Sequence, residues 1–466
     1  MENVPGIKDQ CLNSRKPEFL AVYGRRRVGK TFLIREHLKK HIVFSLSGAV
    51  NTPLKRQLQI FDEALEEYSG DKTNEANDWF EAFRLFKQYL KGLGGKRKKV
   101  IFIDELPWLA TQKSGFLPAL DHFWNAYAST REDILLIICG SATSWIIDNV
   151  INSRGGLHNR VTKQMRIEPF SLGECEAFYK SNGIELSRNH IAELYMIFGG
   201  IPYYMNYVEK GMSPEQIIDM MFFSRNAPLK NEFDNLYAAL FKNPNHHLRI
   251  IESLGKTQGG MTKKELWEDM HVQPGGTLVK ALNELEQCDF IRRYRNFTKK
   301  NNAQYYQLTD FFTLFYLKHM KNQAGQDFNY WQSQSSSGGR YAWNGMAFER
   351  LCAAHIKQIK QKLGIAGVIT EISVWRSRHA TPGVQIDLII NRNDGIINIC
   401  EMKYTGKPFK LDSAYDMALM QKREIFREET AVKKALHITM ATSNGFAPGS
   451  YLGMVQAQIL LDDLFM

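Results

Sequence analysis

The stretch Gly24-Arg25-Arg26-Arg27-Val28-Gly29-Lys30-Thr31 decides the fold of this 466-residue chain. It fits the pattern G-x-x-x-x-G-K-[ST], in which two glycines let backbone N–H groups turn toward a phosphate. An apolar run, Phe19 to Tyr23, precedes it, and a helical pattern, Phe32 to Lys40, follows it. Strand, loop and helix in this order are the context that a phosphate-binding loop requires. Nucleotide binding is therefore the first prediction.

The loop residues have separate expected roles. Lys30 can reach the β and γ phosphates, and the Thr31 hydroxyl can ligate Mg²⁺. The helix that opens at Phe32 adds its positive end to the phosphate site. The three arginines, Arg25 to Arg27, lie near phosphate or are solvated loop charges, and we favour solvation. Gly24 through Phe32 are thus the predicted nucleotide-binding residues, with ATP and Mg²⁺ as the cofactors.

The first third of the chain alternates strand-like runs with helical or loop segments. The strand-like runs are Glu18–Tyr23, His41–Ser47, Val100–Glu105, Ile134–Gly140 and Lys163–Glu168. The central ones are continuous apolar runs, as expected of a parallel sheet that is covered on both faces. This alternation predicts a doubly wound α/β domain.

The third and fourth runs end in candidate catalytic residues. Four apolar residues, Val100 to Ile103, precede Asp104 and Glu105, which is the Walker B pattern. Such a strand places Asp104 beside the loop, where it can hold Mg²⁺ directly or through water, and places Glu105 to orient or deprotonate the attacking water. Ser141, after the fourth run, either touches the γ-phosphate or the water, or caps the next helix.

Further motifs accompany the loop. They are Phe102-Ile103-Asp104-Glu105, Gly140-Ser141, Leu157-His158-Asn159-Arg160, Glu168-Pro169-Phe170 and Gly199-Gly200-Ile201-Pro202-Tyr203-Tyr204. With Ala21 to Thr31 they resemble the archaeal-type ATPase family, in the STAND branch of AAA+-related P-loop NTPases. The resemblance implies an arginine-finger or sensor role for Arg160, whose guanidinium could neutralise charge on the transferred phosphoryl group. A plain surface arginine is the alternative.

The chain departs from that family at its beginning. Family members usually carry an acidic, arginine-containing box well before the loop, which helps to hold the adenine. Only Met1 to Pro17 precede the first strand here, and that box is not found in them. Base-selective nucleotide binding is therefore not predicted.

From Ser171 the pattern becomes helical. Ser171 and Glu174 form a predicted capping box, and apolar helical spacing continues to about Leu240, which predicts a helical lid over the nucleotide. The next unit has three predicted helices. The first is His247–Leu254, the second begins at another capping box at Thr262, and the third is Thr277–Gln287. Strands at Phe290–Tyr294 and Gln304–Leu308 flank a basic connection that includes Lys299 and Lys300. This order predicts a winged helix-turn-helix, which either contacts DNA or packs on the lid.

Beyond a polar segment, Gln323 to Gly339, which predicts a flexible linker, lies a second set of chemical residues. Strands Val384–Ile390 and Ile396–Tyr404 flank the hairpin signal Asn393-Asp394-Gly395. Folding there puts Asp387 opposite Glu401 or its immediate neighbour. Glu401 and Lys403 share one face of their strand.

These residues have the D…E-x-K spacing of the PD-(D/E)xK nuclease-like fold. Glu349, on a helix predicted from Gly345 to Leu363, would add a third acid. Two carboxylates can bind Mg²⁺, and a lysine beside them, Lys403, can orient water or steady a pentavalent phosphate. The archaeal-type ATPase family often carries such a domain, whereas retained cleavage activity stays open.

Composition limits the remaining possibilities. The formal net charge is +11 and the pI about 9.1, which permits a nucleic-acid partner without requiring one. The basic run Lys96-Arg97-Lys98-Lys99 either serves such a partner or is only a solvated loop. Six cysteines without metal-ligand spacing predict reduced thiols in a cytoplasmic protein. We expect no secretory signal in Met1 to Pro17 and no membrane span.

Together these patterns predict an α/β P-loop NTPase sheet, a helical lid, a winged helix and a C-terminal α/β nuclease-like domain. The predicted boundaries are 1–170, 171–244, 245–322, a linker at 323–340, and 341–466. The favoured function is an Mg-dependent ATPase switch. The alternatives are a metal-dependent DNA nuclease gated by ATP and a nucleotide-bound regulator that binds DNA or protein without hydrolysing the nucleotide. The oligomeric state is left open.

Overall fold

The computed structural model describes residues 6, 10–72, 74–95, 97–152, 157, 159–297, 304–321, 329–377, 379 and 383–466. The chain divides into two compact units, Met1–Pro169 and Phe170–Met466. No helix of the described residues combines the length and the apolarity that a membrane span needs. The six cysteines are free thiols and are all buried.

The described part of the first unit holds a five-stranded sheet covered by helices. Its strands are β1 (Glu18–Tyr23), β2 (Ile42–Ser47), β3 (Lys99–Asp104), β4 (Ile134–Gly140) and β5 (Lys163–Arg166). Its helices are α1 (Lys30–Leu38), α2 (Leu54–Ser69), α3 (Trp79–Gly92), α4 (Leu106–Leu109), α5 (Phe116–Ala126) and α6 (Thr143–Ile146). The strand order is β2-β3-β4-β1-β5 and every pair is parallel. The predicted parallel α/β sheet is confirmed.

Burial in the core explains the continuous apolar runs in the sequence of this unit. Every residue of β3 and β4 is buried, because helices cover both faces of the sheet. Ile101 and Leu136 belong to one apolar cluster with residues of α2, α3 and α5. Burying each such side chain stabilises the fold by about 1.5–3 kcal/mol. The continuous apolar runs are thus a direct consequence of two-sided burial.

The basic run before β3 is not a solvated loop throughout. Lys98 and Lys99 are 7% and 4% exposed. The Lys98 ammonium donates to the Glu132 carbonyl at 2.6 Å, and Lys99 pairs with Asp133 at 2.6 Å. Burial, opposed by nearby acids, lowers the pKa of Lys98. The solvated-loop expectation is wrong for these two lysines, because each finds oxygen partners at the start of the sheet.

The second unit is built on an eight-stranded sheet among the described residues. Its strands are β6 (Met261–Thr262), β7 (Ile291–Asn296), β8 (Gln304–Leu308), β9 (Thr370–Arg376), β10 (Gln385–Arg392), β11 (Ile396–Lys403), β12 (Ala435–Thr442) and β13 (Val455–Leu460). Its helices are α7 (Leu172–Ser181), α8 (Arg188–Phe198), α9 (Pro202–Met205), α10 (Pro214–Ile218), α11 (Glu232–Leu240), α12 (Asn245–Gly255), α13 (Lys263–Asp269), α14 (Gly276–Gln287), α15 (Phe311–Phe315), α16 (Tyr330–Ser333), α17 (Gly338–Ala354), α18 (Ile356–Lys362) and α19 (Ser413–Thr430). The strand order is β13-β12-β11-β10-β9-β7-β8-β6.

This sheet joins segments that the sequence assigned to different domains. Strand β7 of the predicted winged helix pairs in parallel with β9 of the predicted nuclease-like domain, through Arg295↔Ser373 and Asn296↔Val374. The expected helices and hairpin are present around β7, and both predicted capping boxes, at Ser171 and Thr262, are confirmed. The assignment of these elements as a winged helix stays a prediction. Lys299 and Lys300 lie outside the described residues.

The described part of the predicted linker, residues 329–339, is packed rather than extended. Trp331 is fully buried, and its backbone N–H donates to Asp219 at 2.7 Å. Just beyond the segment, Arg340 pairs with Glu193 and lies 3.7 Å from the centroid of the Trp331 ring. The flexible-linker expectation is therefore wrong for this segment, because a buried tryptophan and a buried ion pair hold it against α8 and the helical turn that follows α10.

The helix predicted from Gly345 to Leu363 is two helices, α17 and α18, that meet at His355. That residue has a non-helical backbone, with φ −103° and ψ 32°. Its ring is 2% exposed, and Nε2 accepts from the Leu172 N–H at 3.0 Å while Nδ1 donates to the Leu351 carbonyl at 2.9 Å. The break thus supplies a hydrogen-bond partner to the first turn of α7, whose N–H groups have none inside the helix.

Candidate functional site

The first candidate site lies at the carboxyl edge of the parallel sheet. In such sheets, ligands bind outside the carboxyl ends of the strands. The predicted loop follows β1, the acid pair Asp104 and Glu105 ends β3, and Ser141 follows β4. Since β3, β4 and β1 are adjacent, these three segments meet at one edge.

The loop requires its first glycine for packing as well as for its turn. Gly24 has φ 143°, and a Cβ there would lie 2.2 Å from the Ile167 carbonyl oxygen. Gly29, which precedes α1, has φ 88°. Arg25 is 4% exposed, so the solvated interpretation is wrong for it, whereas Arg26 and Arg27 are half-buried. The contact with Ile167 was not foreseen, because it joins residues far apart in sequence.

Lys30 is buried inside the loop. Its ammonium donates to the carbonyl oxygens of Gly24 at 2.9 Å and Arg25 at 2.8 Å. An ammonium held by two carbonyl oxygens can exchange these acceptors for phosphate oxygens. The loop therefore keeps a cation ready at the position where the motif requires one.

Thr31 and Asp104 form a contact that links the loop to β3. The Thr31 hydroxyl donates to Asp104 Oδ2 at 2.7 Å. Asp104 is 3% exposed, and its other oxygen accepts from the Glu105 N–H at 2.9 Å. A hydroxyl and a carboxylate this close are the oxygen ligands that Mg²⁺ prefers. The residues present therefore fit the ion that the motif implies.

Glu105 is held in an uncommon backbone conformation, with φ 47°. Its side chain accepts a hydrogen bond from the Ser141 hydroxyl, and Oε2 accepts from the Ser141 N–H at 3.3 Å. Gly48 lies against its backbone, since a Cβ there would approach the Glu105 carbonyl to 2.6 Å. Left-handed residues of this kind persist where surrounding structure fixes them, and they concentrate at functional sites. Ser141 therefore orients Glu105, a contact that neither predicted role for the serine included.

Two other predicted residues are exposed. Phe32 is 71% exposed on the first turn of α1. Arg160 is exposed, and no contact of the described residues joins its side chain to the loop. Cys139, which the sequence analysis did not single out, lies beneath the acid pair. Burial and then the nearby Asp104 charge raise the pKa of its thiol, so it is neutral.

The sheet order, the loop after β1 and the acid pair after β3 form an α/β fold with a parallel sheet that is consistent with a P-loop NTPase domain. Residues 9–208 match the family described as an ATPase domain predominantly from Archaea. A protein of Methanocaldococcus jannaschii, itself uncharacterized, is 24% identical over 403 residues, which is 85% of each chain.

Two solved structures are similar to the chain over 68% of its length. The Walker-type ATPase paby2304 of Pyrococcus abyssi has a TM-score of 0.46 and 16% identity, over 68% of this chain and 95% of that one. The ORC2 protein of Aeropyrum pernix has a TM-score of 0.40 and 12% identity, over 68% and 91% of the two chains.

The second candidate site lies on the hairpin β10–β11. The register pairs Leu388 with Cys400, so its continuation brings Asp387 opposite Glu401, as predicted. A β-bulge between Ile386 and Ile389 shifts the register against β9 and re-aims the side chains in between. Repulsion from Asp387 and Glu401 adds to the rise in the pKa of Glu349, and repulsion from Glu401 adds to that of Asp387, which is consistent with the three acids lying near one another.

Glu401 is already engaged by donors. Lys422 Nζ lies 2.6 Å from Oε2, the Tyr415 hydroxyl donates to Oε1 at 2.9 Å, and Lys403 Nζ lies 3.2 Å from Oε1. Burial alone would raise the pKa of Glu401, but the two lysines hold it below its ordinary value. Lys422 and Tyr415 were missed by the sequence analysis.

The other two acids are less well compensated. Burial and then repulsion from Asp387 raise the pKa of Glu349 to about 8, so this carboxyl is largely protonated at neutral pH. Its Oε2 is buried and has no hydrogen-bond partner among the described residues. Burial, opposed by Arg350 and reinforced by Glu401, raises the pKa of Asp387, whose Oδ1 accepts from Gln385 at 2.8 Å.

This cluster does not present a set of metal ligands. Among the described residues, no three His, Cys, Asp or Glu side chains are grouped so as to hold an ion. Both Glu401 oxygens accept hydrogen bonds from protein groups, and two ammonium groups stand within 3.2 Å of them. A divalent cation would meet those positive charges. The residues present therefore do not fit the metal that the motif implies.

Proposed function

We propose that the first unit binds Mg·ATP and hydrolyses it, and that its nucleotide state controls the second unit. The observation that carries this proposal is the 2.7 Å contact of Thr31 with Asp104, beside a buried Lys30 and an oriented Glu105. A strand end with an acid pair is common, but these four groups together are the arrangement expected around a nucleoside triphosphate. The match of residues 9–208 to an ATPase family supports the same conclusion.

The roles follow from the geometry. Lys30 exchanges the Gly24 and Arg25 carbonyls for phosphate oxygens and neutralises their charge. Mg²⁺, held by Thr31 and Asp104, would further neutralise the phosphate oxygens. Glu105, oriented by Ser141, accepts a proton from the attacking water, whose oxygen forms the new bond to the γ-phosphorus as the bond to the leaving nucleoside diphosphate breaks, which releases inorganic phosphate and ADP. Arg160 is proposed as an arginine finger or sensor of the γ-phosphate, on its sequence motif alone.

The second unit is proposed to carry the output of the switch. We assign residues 171–244 as a helical lid and 245–322 as a winged helix, with DNA as a candidate partner. Exposed Arg293 and Arg295 on β7 are paired with Glu286 at 3.2 Å and Glu371 at 3.3 Å, which weakens the case for DNA contact by that strand. For residues 341–466, the engaged Glu401 favours a binding role over metal-dependent cleavage.

Two substitutions test the ATPase proposal. Lys30→Ala should abolish ATP binding, whereas Glu105→Gln should keep binding and lose turnover by about 10²–10⁴-fold. The matched controls are Lys39→Ala and Glu36→Gln, which change exposed residues later in α1 or just after it. Unchanged hydrolysis in Glu105→Gln removes the assignment of the base, and binding without turnover in the wild type favours the non-hydrolysing regulator. Unchanged affinity in Lys30→Ala refutes the site.

A further inference from the structure

The C-terminal carboxylate cluster, formed by Glu349, Asp387 and Glu401, is in contact with a lysine from a neighbouring helix. Lys422 lies on α19, the helix after β11, and its Nζ is 2.6 Å from Glu401 Oε2. The side chains of the two residues are 23% and 15% exposed, so the pair is mostly shielded from water. An ion pair at this distance and burial is far less screened than one at the surface.

The position of Lys422 on its helix shows how it is held there. Tyr415, Leu419, Lys422 and Phe426 follow at spacings of four, three and four residues, so they share one face of α19. Leu419 and Phe426 are buried in the apolar core of this part of the sheet. The packed face of the helix therefore holds Lys422 beside Glu401. Tyr415 lies two turns earlier on the same face, and its hydroxyl donates to the other Glu401 oxygen at 2.9 Å.

The basic side chains around the cluster outnumber its acids. Lys403 is 3.2 Å from Glu401, as the E-x-K spacing predicts, and Lys422 is an additional cation that the spacing does not include. Arg350 and Arg376 act electrostatically on Asp387. Three acids, of which Glu349 is largely protonated at neutral pH, thus meet four basic side chains, so the cluster has no excess of negative charge that an added ion would have to balance. A carboxylate offers about four lone-pair positions, and three donors already occupy three of those of Glu401.

We propose that Lys422 is the resident countercation of this cluster and takes the place of a divalent metal ion. The C-terminal domain then balances the charge of these acids with its own side chains and needs no Mg²⁺ or Mn²⁺ for folding or for binding a partner. Lys422 acts through Glu401, so it is a positioning residue. This inference is independent of ATP hydrolysis in the first unit.

Mn²⁺ binding to the nucleotide-free full-length protein, followed by calorimetry and by the thermal midpoint, tests the proposal. Wild type and Glu401→Gln should respond equally to Mn²⁺, because no ion uses Glu401. Lys422→Met, which removes the ammonium and keeps the length of the side chain, should gain Mn²⁺ affinity of at least about tenfold, since like-charge repulsion is removed. Adding Glu401→Gln to Lys422→Met should cancel that gain. Lys422→Arg should behave as wild type.

Lys433→Met, at an exposed lysine just beyond α19, is the matched control and should change nothing. Mn²⁺ binding to the wild type that Glu401→Gln abolishes would overturn the proposal. That comparison decides the question even if Lys422→Met does not fold. A Lys422→Met protein that folds and gains no Glu401-dependent affinity also overturns it. Loss of ATP hydrolysis in any of these variants bears on the ATPase proposal and not on this one.

Discussion

The His355 hydrogen bonds predict that the second unit loses stability in mild acid. Its ring is buried, Nδ1 donates to the Leu351 carbonyl, and Nε2 accepts from the Leu172 N–H. Burial lowers the pKa of His355 from 6.5 to about 4. A proton on Nε2 would face an N–H donor, so protonation removes the bond to α7 and buries a charge. The perturbations are a fall in pH and the substitution His355→Gln.

The magnitude follows from the two pKa values. Because the folded value is the lower one, the unfolded chain binds more protons between pH 6.5 and 4, and stability falls as pH falls. The His355 contribution is complete above about pH 6.5 and is lost toward pH 4. Each pKa unit corresponds to about 1.4 kcal/mol, so the loss is about 3 kcal/mol over the whole range and about 2 kcal/mol by pH 5.

The assay compares wild type with His355→Gln, since glutamine can donate to Leu351 and accept from Leu172 but does not titrate. Urea unfolding is followed by pulsed hydrogen exchange in peptides from α7 and α17, which report on the second unit alone. Other titrating groups, including Glu349, cancel in the difference between the two proteins. The stability advantage of wild type should shrink by about 2 kcal/mol between pH 8 and pH 5. A difference that stays constant over this range refutes the neutral, buried assignment of His355.

Two further predictions concern the nucleotide site and the predicted winged helix. Ser141→Ala removes the hydroxyl donor to Glu105, and since a hydrogen bond to a charged group contributes about 1.5–3 kcal/mol, kcat should fall by roughly ten- to a hundredfold with ATP affinity kept. Steady-state hydrolysis checks this, and an unchanged kcat removes the orienting role. If the winged helix binds DNA, Lys299→Ala with Lys300→Ala should reduce the slope of log affinity against log salt by up to about two units, since each phosphate contact contributes about 0.9. A slope equal to that of wild type, measured by fluorescence anisotropy, favours a structural role instead.

The sequence predicted the first unit well because its signals are local. The strands β1 and β4 were predicted to the residue, since a strand buried on both faces is a continuous apolar run with clear ends. The loop, the acid pair and the serine of the nucleotide site were also predicted from sequence motifs at the ends of these strands. By contrast, the contact of Gly24 with Ile167 and the approach of Ser141 to Glu105 depend on which strands are neighbours, and spacing alone does not contain that information.

The second unit was predicted less well because its decisive contacts are long-range. The pairing of β7 with β9 involves two residues on each strand, and neither strand carries a pattern that indicates the other. The polar composition of residues 323–339 predicted a linker, but a single tryptophan, Trp331, and the Arg340–Glu193 pair that follows outweigh that composition. Composition describes the average solvation of a segment, whereas one large buried side chain is enough to fix its path.

Lys422 was missed although a local signal for it exists. It stands on the same helix face as Leu419 and Phe426, and a lysine on a buried face is costly unless it meets an acid in good geometry. That pattern predicts a partner acid for the lysine, and the partner is Glu401 on the E-x-K strand that precedes α19. The D…E-x-K spacing predicts which acids converge, but the charge that balances them comes from the following helix. In this chain, therefore, the motif alone is not enough to predict a metal site, because the buried face of the neighbouring helix carries a cation of its own.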